Sequence, residues 1–204
     1  MNRIKIYLEG GGDGKEGKAA IRQGMLGFLD SMKQLAREKS IHFDVVTCGA
    51  RQQAFRAFKH ELETKARTSV TLLLVDAESA VGLPPRRHLS SVDGWALDTV
   101  DEDSIHLMIQ VMETWIVADP QALRDYYKQG FVDCLPPSQD LETVDKSRIE
   151  ALLKRATTQT QKGEYQKIRH AADLLGRIDE AVVRRRCPSC NRLFTSLQSK
   201  IQRA

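Results

Sequence analysis

Four carboxylates stand at or just beyond the ends of apolar runs. Glu9 ends the run Ile4-Lys5-Ile6-Tyr7-Leu8, Asp76 and Glu78 follow Val70-Thr71-Leu72-Leu73-Leu74-Val75, and Glu113 follows the run from Ile105 to Val111. When such runs are parallel strands of an open α/β sheet, their carboxyl ends line one edge, where these sheets bind ligands. Asp76 and Glu78 are two apart on extended chain and so share a face. Carboxylates brought together repel, and they stay ionised together only with a cation among them. Hard oxygen donors suit Mg²⁺ or Mn²⁺. Glu9, Asp76, Glu78 and Glu113 are therefore the expected metal ligands, at the lip of a sheet.

Gly10-Gly11-Gly12 follows Glu9 directly. Glycine reaches left-handed backbone without steric cost. This turn is expected to let the backbone approach a metal-bound phosphate while Glu9 serves the metal. Gly12-Asp13-Gly14-Lys15-Glu16-Gly17-Lys18 also matches the phosphate-loop pattern G-x-x-x-x-G-K. Against a P-loop phosphotransferase, Ala19 stands where Ser or Thr must ligate Mg²⁺, and Asp13 and Glu16 would repel phosphate.

The stretch from Lys162 to His170 concentrates cations near a helix start. Lys162 and Lys167 are the expected phosphate contacts, stabilising charge at the reacting phosphorus, with His170 beside them. The plainer reading is an exposed basic helix face with His170 packed under it. His88 and His106 read as structural, and Trp115, Tyr126 and Tyr127 as core. Cys187-Pro188-Ser189-Cys190 is a single C-x-x-C without a second pair at zinc spacing, so it reads as a helix start. Arg184-Arg185-Arg186 before it is a further candidate contact for phosphate or a partner.

These residues need a scaffold. Residues 4–8, 43–48, 70–75 and 105–111 read as strands. Helices are expected over 15–39, over 51–67 with Phe55, Phe58, Leu62 and Ala66 on one face, and from Asp119-Pro120 through Tyr127. Residues 79–103, with Gly82, Pro84-Pro85 and Gly94, read as a long loop. From Lys146 the chain reads as helical over 146–157, 164–176 and 189–200. Alternating strands and helices predict an α/β fold, a mainly parallel sheet flanked by helices. The expected organisation is an α/β core over 1–145 and a basic helical extension over 146–204, packed on it.

The chain has 204 residues, 41% of them hydrophobic, enough for a sizeable core. Its net charge of +4 is unevenly spread: Lys146 to Ala204 carries a net +9 and the rest a net −5. An acidic, cation-binding front beside a basic rear fits a polyanion such as nucleic acid, DNA or RNA; a solvated basic surface is the plain alternative. No apolar run is long enough for a membrane span, and no signal peptide is expected, since the stretch from Met1-Asn2-Arg3-Ile4 lacks an apolar h-region followed by a small-residue cleavage site. Four scattered cysteines make no disulfide framework, so a cytoplasmic setting is expected. Assembly into a homo-oligomer is left open.

Leu8-Glu9-Gly10 and Val75-Asp76-Ala77-Glu78 resemble the Glu-Gly and Asp-x-Asp signatures of Toprim domains. Those domains occur in topoisomerases, primases and OLD-type nucleases, and the resemblance covers about residues 3 to 120. Met112-Glu113-Thr114-Trp115-Ile116-Val117-Ala118-Asp119 is similar to the Phe-Glu-x-Trp-Leu segment of RloB-like relatives of the OLD nucleases. More closely, Tyr7 to Gly12, His106 to Asp119 and Lys162 to His170 look like a bacterial family of unknown function with a Toprim-like core. The resemblance implies a Toprim-like, Rossmann-like fold, a divalent metal on Glu9, Asp76 and Glu78, and phosphodiester cleavage. It also implies an antiphage setting with a separate AAA- or ABC-type ATPase, or a non-catalytic regulatory subunit of such a complex. This chain carries Glu78 where many members have Asp.

Overall fold

The computed structural model describes residues 1–64, 69–137 and 140–203. Four strands, β1 (Arg3–Glu9), β2 (His42–Gly49), β3 (Ser69–Asp76) and β4 (Ile105–Met108), form one parallel sheet in the order β2-β1-β3-β4. The two central strands are covered on both faces, which is why they read as continuous apolar runs. Ile4, Ile6 and Leu8 of β1 and Leu72 to Val75 of β3 are fully buried. Leu8 lies opposite Leu74, and Asp76 opposite Met108. Parallel direction and this register put Glu9, Gly49 and Asp76 at one edge.

Side chains alternate between two apolar clusters. Ile4, Ile6, Leu72 and Leu74 enter one; Tyr7, Leu73 and Val75 enter the other. The second cluster is covered by α3 (Arg51–Thr64) and α4 (Pro85–Asp93), through Phe58 and Leu89. The first is larger. It takes α1 (Lys15–Phe28), α2 (Asp30–Glu38), α5 (Met112–Val117), α6 (Pro120–Tyr127), α7 (Lys146–Thr157), α8 (Lys167–Leu175), α9 (Glu180–Arg186) and α10 (Pro188–Gln202). The α/β class and the parallel, helix-flanked sheet are as the sequence predicts, and the architecture is Rossmann-like. Residues beyond 146 contribute Ile149, Leu153, Leu174, Phe194 and Leu197 to the core that holds β1 and β3. Among the described residues, no helix is long and apolar enough to cross a membrane.

Four expectations change. The helix over 15–39 is two helices joined at Leu29; Gly24 and Gly27 weaken helix there, and the break keeps Leu29 in the core. The loop over 79–103 contains α4, because Pro85 is a helix-starting proline and Gly94 (φ +67°) its left-handed stop. β4 ends at Met108 instead of running to Val111, and Glu113 lies in the first turn of α5. The Arg184–Arg186 run lies in α9, which the sequence reading did not anticipate: Asp179 caps it by accepting from the Ala181 amide. The predicted helix over 51–67 is described to Thr64, and Ala66 lies outside the described residues.

Two contacts fix the rear helices. Gly24 and Gly27 of α1 lie against the backbone of Ala172 and Gly176 in α8, so closely that a Cβ on Gly24 would collide with the Ala172 carbonyl oxygen. That crossing seats α8, whose first residue is Lys167, against α1. Arg192 of α10 donates to the Ile105 carbonyl (2.7 Å) and the Glu102 carbonyl (2.8 Å), fastening that helix to β4.

Candidate metal centre at the carboxyl edge of the sheet

Glu9 and Asp76 meet because their strands are neighbours. Each of Glu9, Asp76 and Glu78 offers a carboxylate oxygen, all within 4.8 Å of one another. Glu9 Oε2 accepts from the Asp76 amide at 3.1 Å, and Asp76 Oδ1 accepts from the Met112 amide, at the start of α5, at 2.8 Å. Asp76 Oδ2 faces the Lys167 ammonium at 3.3 Å, and the same nitrogen is 3.3 Å from Glu113 Oε2. Tyr165 donates to Glu113 Oε1 at 3.0 Å. Glu113 Oε2 is sealed from solvent, and Lys167 is its one charged partner among the described residues.

The flanking acids are held differently. Arg51, just past the end of β2, lies 3.4 Å from Glu9 Oε2 and also donates to the Asp76 carbonyl. Its other edge grips Asp93 with two bonds of 2.8 Å, and its guanidinium sits 5.2 Å from the centre of the Trp95 ring. Glu78 is exposed, pairs with Lys146 at 2.6 Å, and has φ +66°, a left-handed backbone unusual for glutamate. Its amide donates to the Gln110 carbonyl at 2.8 Å, which fixes that turn.

Burial pushes the Asp76 carboxyl up to about 7; Lys167 opposes this, while Glu9, Glu113 and Glu78 add to it. Burial raises Glu9 as well, against the pull of Arg51. Burial works against the charge on Lys167, but Asp76 and Glu113 outweigh it and keep the ammonium protonated. With all groups ionised, five acids (Glu9, Asp76, Glu78, Asp93 and Glu113) face three cations (Arg51, Lys146 and Lys167), leaving a net −2. A residual of two negative charges, an all-oxygen donor set and the sealed Glu113 oxygen fit a hard divalent cation.

A pocket of about 290 Å³ opens beside the acids, walled by Glu9, Gly10 to Gly12, Ile21, Asp76, Met112, Lys167 and Ile168. Gly10, Gly11 and Gly12 all have left-handed φ, and a Cβ on Gly11 would strike the backbone of Lys18. Lys18 itself folds against Gly49 and lines a separate pocket with Arg22.

The structure thus gathers Glu9, Asp76, Glu78, Glu113, Lys167 and the Gly10–Gly12 turn. It takes Lys162 and His170 elsewhere. Lys162 lies 4.5 Å over the Tyr126 ring, and neither residue contacts the acids. His170 is buried, its Nδ1 accepting from Tyr127 (3.0 Å) and the Gln166 amide (3.2 Å). Burial and Arg169 lower its proton affinity, so it is a neutral core group rather than a phosphate contact. His88 bonds the Ala77 carbonyl at 3.1 Å, behind the Asp76–Glu78 turn. Cys187 and Cys190 are buried and free.

Sequence reasoning passed over Arg51, Asp93, Lys146 and Tyr165. Arg51 alone carried a signal, since it follows a strand end on the same edge as the acids. The other three reach the site only through the packing of α4, α7 and the lead into α8.

No curated protein and no solved structure matches the chain. A family model described as Domain of unknown function (DUF4276) matches residues 8–198. That match runs from the last apolar residue of β1 to near the end of α10 and takes in the acids of this edge, so the protein belongs to the DUF4276 family.

Proposed function

We propose that the protein is a metal-dependent, Toprim-like nuclease that hydrolyses phosphodiester bonds. The observation that carries the reading is the meeting of Glu9 and Asp76, from strands 67 residues apart, with Glu78 beside them and a net −2 around them. Glu9, Asp76 and Glu78 would hold Mg²⁺ or Mn²⁺. Bound there, the ion supplies Lewis-acid polarisation of the phosphoryl oxygens and neutralises charge that builds on them. Glu113 has one oxygen fixed by Tyr165 and the other facing the Lys167 ammonium, so once Lys167 turns to the phosphate this second oxygen would orient the attacking water or complete a second cation site. Lys167, at the pocket wall, is placed to hold the scissile phosphate or its neighbour. The Gly10–Gly12 turn lines the pocket with backbone, having no side chains of its own to stand between it and the same phosphate.

Resemblance to OLD-type and RloB-like nucleases supports a role in antiphage defence with a partner ATPase. A second reading has its own support: each acid already has a protein cation, as in a docking subunit that keeps the acids as a structural network. The test is cleavage of DNA and RNA, single- and double-stranded, with Mg²⁺ or Mn²⁺, comparing wild type with Glu9→Ala and Asp76→Ala. The nuclease reading expects each substitution to cost about a hundredfold or more in rate. Equal cleavage by all three proteins rejects it. Stable co-purification with an ATPase and no metal-dependent cleavage supports the docking subunit instead.

A further inference from the structure

Asp76 has two oxygens with different fates. Oδ1 is taken by the Met112 amide, and Oδ2 is the one Lys167 occupies. The oxygen open to an incoming dication is therefore the one already paired with an ammonium. A dication bonds carboxylate oxygen at about 2.1 Å, so the two charges would stand within a few ångströms at a buried site, where repulsion is strong.

The three cations around the acids differ in freedom. Arg51 is locked by its two bonds to Asp93 and by Trp95. Lys146 serves Glu78, at the exposed side. Lys167 has a side chain about half exposed, at the first residue of α8, beside Ile168, which is 74% exposed at the pocket mouth. Its flexible stem can swing outward without breaking any other side-chain bond, because among the described residues its ammonium pairs with Asp76 and Glu113 alone.

We infer that Lys167 is a built-in counter-ion that competes with the divalent metal for Asp76 and Glu113, and that an anionic phosphate at the pocket mouth draws it away. The inference rests on the metal reading of this site and adds its regulation. Phosphate binding removes the competitor, so metal and phosphate bind cooperatively, and by linkage each tightens the other equally. Without substrate the site is filled by the protein's own cation, which keeps metal affinity low.

The test is Mn²⁺ affinity of the full chain, measured by electron paramagnetic resonance of the free ion, for wild type, Lys167→Met and Lys167→Arg. Lys167→Met is expected to bind Mn²⁺ about tenfold tighter or more, and Lys167→Arg within a few-fold of wild type. Sulfate, a tetrahedral dianion, is expected to tighten Mn²⁺ binding to wild type and not to Lys167→Met. Lys167→Gln, uncharged but polar, repeats the comparison should the methionine variant melt without cooperativity. Equal or weaker Mn²⁺ binding by the uncharged variants, or a sulfate effect that survives in them, overturns the exchange while leaving the metal site standing. Failure of wild type and variants alike to bind Mn²⁺ rejects the metal reading and the exchange together.

Discussion

Arg51 and Lys167 answer the same acidic cluster in different ways. Arg51 is a fixture, because a planar guanidinium with bidentate and ring contacts loses its freedom once, at folding. Lys167 is a point charge on a flexible stem, suited to changing partners. Burial decides the behaviour of other titratable groups. His106, on β4, is held neutral: burial first, then Arg192 at 3.2 Å, lower it to about 3. Lys200 adds to that, while the Asp103 carbonyl and Asp101 oppose it. The folded chain thus binds this proton less tightly than the unfolded chain, whose value is 6.5. Stability from this group is present above pH 6.5 and is lost as pH falls toward 3. Between pH 6.5 and 4.5, wild type should lose roughly 2 kcal/mol more unfolding free energy than His106→Asn. Urea titrations across that window check this, and parallel losses would refute it.

At the scale of elements, the crossing of α1 and α8 governs the site although it lies away from it. Alanine usually stabilises an exposed helix interior relative to glycine by about 1 kcal/mol. Gly24→Ala should do the reverse, destabilising by about 1–3 kcal/mol, because its Cβ meets the Ala172 carbonyl and forces the helices apart. Moving α8 also moves Lys167 from Asp76. Thermal melts check the first effect, and a melting temperature at or above that of wild type would exclude the tight crossing. The elements themselves were largely legible in the residues: β1, β3 and α7 fall where periodicity placed them. The α4 helix was not, since Pro84-Pro85 and Gly94 within residues 79–103 read as loop, whereas the proline at the first turn and the glycine past the last are helix boundaries.

For the whole molecule, the basic rear third is part of the fold. Ile149, Leu153, Leu174, Phe194 and Leu197 share a core with the central strands, and α8 brings in Lys167. A fragment ending at residue 145 would expose that side of the sheet's core. It should show no cooperative unfolding transition, where the full chain shows one. A sharp melt with native-like near-ultraviolet circular dichroism in the fragment would contradict this. The charge asymmetry is also partly spent inside: Arg186 bonds the Ala118 and Pro136 carbonyls, and Arg192 serves β4.

The order of residues alone determined the parallel sheet and the placing of Glu9 and Asp76 on one edge. Apolar runs specify strands, and parallel strands bring their carboxyl ends together whatever the loops do. Tertiary structure alone decided which cation meets which acid. Lys167 reaches Asp76 across 91 residues, while Lys162, five positions earlier, turns to Tyr126. No local pattern separates two lysines flanking a helix start. Lys167 is the first residue of α8, which packs on α1 at Gly24 and Gly27, and Lys162 lies before that helix over the Tyr126 ring, contacts made only when the chain is folded.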